Sequence, residues 1–82
     1  MISQIRRSAV SIPSNIAEGY QRNNRAEFKQ FCGVAYGSAA ELETQLILIA
    51  ELYKIDTATT IKQLDEIQRI LRQLITKLTT KN

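Results

Sequence analysis

The sequence predicts an all-α protein, an antiparallel helical bundle with three helices in the chain. Three observations carry that prediction. Apolar residues recur three and four apart along most of the chain, never alternating as a strand would. Caps and polar runs break this rhythm at two places, so it falls into three segments. The 82 residues, 44% of them apolar, make up a single domain spanning 1–82, too short to close a deep pocket.

The first helix spans about 2–20. Ile2, Ile5, Ala9, Ile12 and Ile16 form one stripe on a turn of 3.6 residues. Pro13 lacks an amide proton and crowds the carbonyl of Ala9, which predicts a kink there or a helix start near Ser11. Ser11, Ser14 and Asn15 can bond the backbone groups it frees. Gly19 and the run Gln21-Arg22-Asn23-Asn24 end the segment. Asn24 is then the N-cap of the next helix, with Glu27 completing a capping-box pair, and the short loop makes the two helices antiparallel neighbours.

The second helix, 25–53, has the clearest pattern. Phe28, Phe31, Ala35, Ala39, Leu42, Leu46, Ile49 and Tyr53 form one stripe, and Cys32, Tyr36, Ala40, Glu43, Ile47 and Ala50 lie beside it. Together they make a face wider than one partner helix covers. Gly33 and Gly37 lower helix propensity, and mid-helix they mark a close helix–helix approach better than a break. Asp56 or Thr57 caps the third helix, about 57–79, with Leu64, Ile67, Leu71, Leu74 and Leu78 in a three-four rhythm and Ile61, Ile70 and Ile75 flanking it. Thr79 to Asn82 form a frayed tail. With only two neighbours for the long second helix, apolar surface is left over, which predicts self-association.

The absent residue types narrow the chemistry. Without His and with one Cys, the chain cannot build a Cys/His zinc site, a Ser-His or Cys-His nucleophilic pair or an internal disulfide. Glu18, Glu41 and Glu43 have no pocket, metal or His to partner them in acid–base work. No enzyme activity, cofactor, metal or small-molecule substrate is expected. Cys32 falls within an apolar pattern and reads as a small hydrophobe. There is no signal segment and no apolar run of the ~20 residues that span a bilayer, so a soluble, cytoplasmic protein is expected.

Charge is distributed unevenly. Eleven Lys plus Arg against eight Asp plus Glu give +3. Residues 1–30 hold five basic and two acidic side chains, 31–56 one and four, and 57–82 five and two, a pattern that favours helices packing with opposite charges in register. Arg6 and Arg7 point about 100° apart, so at most one lies along the core. Its structural partner is expected to be Glu43, which interrupts an apolar stripe; a phosphate contact is the other reading. Glu18 and Arg22 are spaced to pair on the surface, as are Lys62 with Glu66 and Asp65 with Arg69. Arg72, Lys77 and Lys81 are left at the end of the third helix, and Arg22, Arg25 and Lys29 cluster near Tyr20 around the first loop. Both groups are candidate nucleic-acid contacts, against the plainer reading of a solvated face.

Residues 4–20, QIRRSAVSIPSNIAEGY, then EF at 27–28, GSAAELETQLIL at 37–48 and LY at 52–53, resemble the bacterial four-helix-bundle family encoded in intervening sequences of 23S ribosomal RNA genes. That family is also similar to the accessory variability determinant of diversity-generating retroelements. The resemblance implies antiparallel helices assembled as a homo-oligomer, commonly a pentameric ring, without catalysis. It further implies RNA or DNA binding through basic residues and a reverse transcriptase as partner. Family members carry a helix before the Arg-Arg segment, which the sequence as given does not contain, so one bundle position is expected to lack its cover. The expectation is therefore a non-enzymatic, self-associating protein that offers a basic surface to RNA or DNA. The alternative is a purely structural protein–protein interaction module without nucleic-acid binding.

Overall fold

The computed structural model describes residues 1–80. Three α-helices run up, down and up: α1 (Ile2–Gln21), α2 (Arg25–Tyr53) and α3 (Ala58–Thr79). The Asn24 side chain accepts the Glu27 amide at 2.9 Å, so α2 starts as its cap residue dictates. At the α2–α3 link Thr57 is the N-cap, but its hydroxyl makes no capping bond; Asp56 accepts the Ala58 amide instead, at 3.0 Å. Asn23 and Lys54 take left-handed φ values of 55° and turn the chain at each helix end.

Pro13 does not break α1, which is continuous through it. The side-chain amide of Asn15 donates to the Ser11 carbonyl at 2.7 Å and to its hydroxyl at 2.9 Å, reinforcing the turn around the proline. Gly19 does not terminate the helix either. It is buried inside α1, where an added Cβ would lie 2.7 Å from Cβ of Phe31, so this glycine is what lets α1 and α2 come close. Gly33 and Gly37, expected to mark that approach, have nothing within 4 Å of where a Cβ would sit.

Helix α2 packs against both α1 and α3, yet no Cα of α1 comes within 8 Å of one in α3. The molecule measures 47 × 21 × 13 Å, and its radius of gyration of 14.0 Å exceeds the roughly 12 Å of a compact domain this long. In cross-section it is a V, with α2 at the vertex and α1 and α3 as the two arms. The core lies along the vertex: Ile12 from α1, Ala35, Ala39, Leu42 and Leu46 from α2, and Leu64 and Leu71 from α3. The first α2 stripe is thus largely covered by its two neighbours, and the uncovered apolar surface lies elsewhere.

Candidate functional site

The inside of the V is an open apolar groove. One stretch of it is a cavity of about 210 Å³ lined by Ala9, Ile12, Pro13, Leu42, Thr60, Gln63, Leu64 and Ile67. Its residues come from all three helices because the apolar arcs of α1 and α3 are wider than their contacts with α2. At 100° per residue, Ile5, Ala9 and Ile16 share the groove side of α1, and Ile67, Ile70 and Leu74 that of α3. Ile70 is 54% exposed and Ile67 39%. On the outer arc of α2, Val34, Leu48 and Leu52 are exposed at 49%, 43% and 65%, with the polar Glu41 and Gln45 standing between Val34 and Leu48. Neither α2 stripe in the sequence contained these three residues. The spacing of Val34, Leu48 and Leu52 puts them within about 40° of one another, but Glu41 and Gln45 on the same arc interrupt the pattern.

The α1–α2 seam is polar on the side away from the groove. Ser11 and Ser38 share a 2.7 Å hydrogen bond, and the Ser8 hydroxyl donates to Glu41 at 3.3 Å. Beside them is a polar cleft lined by Gln4, Arg7, Ser8, Glu41 and Gln45, in which the buried Oε1 of Gln45 has no hydrogen-bond partner among the described residues.

The expected pairing of Arg6 or Arg7 with Glu43 does not form. Glu43 lies on the α3 side of α2 and accepts a 3.3 Å bond from the buried Gln68, while Arg7 sits in the cleft on the α1 side. Neither arginine comes within 4.0 Å of a carboxylate among the described residues. An uncharged amide replaces the cation because the arc holding Glu43 meets α3, not α1. Of the surface pairs, Glu18 and Arg22 meet at 3.0 Å. On α3, Arg69 turns to Glu66 at 3.7 Å, three residues back, so the four-residue pairs Lys62–Glu66 and Asp65–Arg69 are not made.

The two basic clusters of the sequence meet at one end of the molecule, where the α1–α2 loop abuts the end of α3. Two of their members are already engaged. Arg22 contacts Glu18 and, at 4.0 Å, Glu27, with its guanidinium 5.2 Å from the Phe31 ring centroid. Arg25 caps α3: its guanidinium donates to the carbonyls of Lys77 at 2.6 Å, Thr80 at 2.9 Å and Leu78 at 3.0 Å, satisfying acceptors that a helix end leaves bare. Arg72 donates to the Tyr36 hydroxyl at 3.3 Å and, with Gln73, Thr76, Lys77 and Thr80, borders a shallow polar depression. Lys29 is half-buried on α2. Lys81 lies outside the described residues. Tyr20 is 76% exposed, with its ring edge-on to Phe28 at 6.0 Å.

Cys32 is fully buried, and desolvation pushes its thiol pKa up, away from the reactive thiolate. Among the described residues no group of three or more Cys, Asp or Glu could hold a metal ion, and no helix is long and apolar enough to cross a membrane. Comparison with curated proteins and with solved structures finds no match. The model of the family described as 23S rRNA-intervening sequence protein, however, matches residues 1–76, which include the Pro13 segment, the Ser11–Ser38 seam and the whole groove floor. This all-α chain therefore belongs to the 23S rRNA-intervening sequence protein family.

Proposed function

We propose that this chain is a non-catalytic assembly module that self-associates by covering its apolar groove, and that the assembly offers RNA or DNA the basic end where the first loop meets α3. The groove supports this reading: Ile67, Ile70, Ala9 and Pro13 surround a floor of Leu42 and Leu64 with no helix over it among the described residues. Ile67 and Ile70 are 39% and 54% exposed, and covering what they leave in water gives a part of the about 1.5–3 kcal/mol that full burial of an Ile is worth, which favours association. Arg72 and Lys77 of each copy, repeated around an oligomer, add into a larger positive surface.

Light scattering at micromolar concentration tests the first part, with a mass above the 9.3 kDa of one chain expected. A well-folded monomer at that concentration rejects it. Fluorescence anisotropy with labelled RNA tests the second: binding at about 50 mM salt that weakens steeply as salt rises is expected. Replacing Arg72 and Lys77 by Gln should reduce that binding and its salt slope. Arg25→Ala is unsuitable for localising it, because that change also uncaps α3.

One observation favours the purely structural module. Arg22 and Arg25, two of the six candidate contacts, already engage their guanidinium groups in bonds within the chain. Absence of binding at low salt in an intact oligomer selects that reading.

A further inference from the structure

We infer that the basic end holds an unpaired base of a single-stranded nucleic acid, stacked on the exposed ring of Tyr20, while the strand's backbone runs on to Arg72 and Lys77. The inference rests on the nucleic-acid reading and specifies which form of RNA or DNA is taken and by which contact. Between the first loop and the last turn of α3 lies an open cleft of about 290 Å³. Tyr20, Phe28 and Leu78 give it apolar walls, and Asn23, Asn24 and Arg25 its polar ones. The Tyr20 ring is 76% exposed and meets Phe28 edge-on, so it is braced on one side and keeps a face open to solvent. An open aromatic face takes any base by stacking, and only a base outside a duplex has a face to offer. The side-chain oxygen of Asn24 is taken by the Glu27 amide at 2.9 Å, which leaves its amino group to donate. Asn23, held at φ 55° in the turn, brings a second carboxamide to the cleft. A carboxamide both donates and accepts, so it can bond the edge of any base.

Charge decides between a strand and a free nucleotide. Arg25, in the wall of the cleft, gives its guanidinium to the carbonyls of Lys77, Leu78 and Thr80, and Arg22 is drawn to Glu18 and Glu27. The phosphate of a free nucleotide would therefore meet no uncommitted cation there. Arg72 and Lys77 border a separate depression, and among the described residues neither comes within 4.0 Å of a carboxylate. Arg72 is bonded to the neutral Tyr36 hydroxyl, which steadies its side chain and leaves its charge available. The cleft and the depression share the turn that Arg25 clasps: Leu78 borders one, Lys77 and Thr80 the other. The gap between them is on the order of the 10–12 Å width of a helix. The continuing backbone of a strand crosses that gap, and the phosphate attached to the stacked base does not.

Fluorescence anisotropy with labelled RNA and the full chain tests it. At about 50 mM salt, Tyr20→Ala should weaken binding of a single-stranded oligonucleotide by about 5- to 150-fold, the range that loss of one stacked base spans. Its salt slope should stay that of the wild type, because the ring carries no charge. Tyr20→Phe, which keeps the ring, should bind as the wild type does, and Tyr20→Ala should bind a duplex of the same sequence undiminished. An abasic strand with the same number of phosphates should bind the wild type as weakly as the natural strand binds Tyr20→Ala. That arm needs no variant and decides the matter if circular dichroism shows Tyr20→Ala to be misfolded. AMP in large excess should not displace the strand. Wild-type affinity in Tyr20→Ala, an equal loss on duplex, or full-strength binding of the abasic strand overturns the stacked base while the basic surface stands. Displacement by AMP at concentrations near those of the strand overturns the strand in favour of a free nucleotide. A wild type that binds no RNA at this salt rejects the nucleic-acid reading as well.

Discussion

Along its seam with α1, helix α2 meets hydroxyls and a glycine; along its seam with α3 it meets leucines. The first seam is close: Gly19 brings the α1 backbone against Phe28 and Phe31, and Ser11 and Ser38 bond where larger side chains would hold the helices apart. The second is filled by volume, with Leu64 at 3% exposure and Leu71 at 2%, and its buried polar contact is the Gln68–Glu43 pair. A seam built on fit is damaged by adding atoms. A seam built on volume is damaged by removing them.

Substitutions at four places probe this contrast. The largest effect is expected from Leu71→Ala, which empties a fully packed site on the α3 seam and should cost about 2–5 kcal/mol in urea unfolding. A cost below 1 kcal/mol would mean that α3 repacks freely and that volume is not what holds it. Next comes Gly19→Ala on the α1 seam. Its new Cβ meets a Phe31 Cβ that cannot swing aside, so overpacking of about 1–3 kcal/mol outweighs the gain in helix propensity, leaving a net loss of about 1–2 kcal/mol. A stabilised variant would show that the seam has slack.

Third is the Ser11–Ser38 bond. Either serine changed to Ala should cost about 1 kcal/mol by leaving its partner unpaired, and the double variant should cost less than the sum of the two. Strict additivity would show that the bond contributes no coupling. The smallest effect has the opposite sign: Gly37→Ala, facing open space, should raise the stability of the single chain by roughly 0.5–1 kcal/mol, measured at a dilution where copies are apart. A loss there would reveal an intramolecular neighbour on the outer arc.

The sequence carried the helices themselves well. The stripe from Phe28 to Ile49, the Asn24 cap and the Glu18–Arg22 pair all reappear in the structure, because each depends on residues within a turn or two of one another. What it did not carry is which neighbour each face meets. Gly19 and Gly37 look alike in a string of letters, yet one lies under a phenylalanine and the other in the open. Glu43, interrupting an apolar stripe, reads as a partner for an α1 arginine, whereas its actual partner is set by the side of α2 on which α3 docks. Arg25 reads as an available cation because the carbonyls that hold it have no side-chain signature. The surplus of apolar surface was readable from helix count alone, whereas its division into groove and arc required the V.

The clasp between Arg25 and the last carbonyls of α3 ties together two stretches of chain more than fifty residues apart. The opening turn of the middle rod and the closing turn of the final one therefore share a latch, and neither can come undone alone without breaking it. Amide exchange near Thr79 and Thr80 should accordingly quicken in an Arg25→Ala protein while the turns around Leu64 stay slow, which would make the far end of the polypeptide a reporter on events at its first bend.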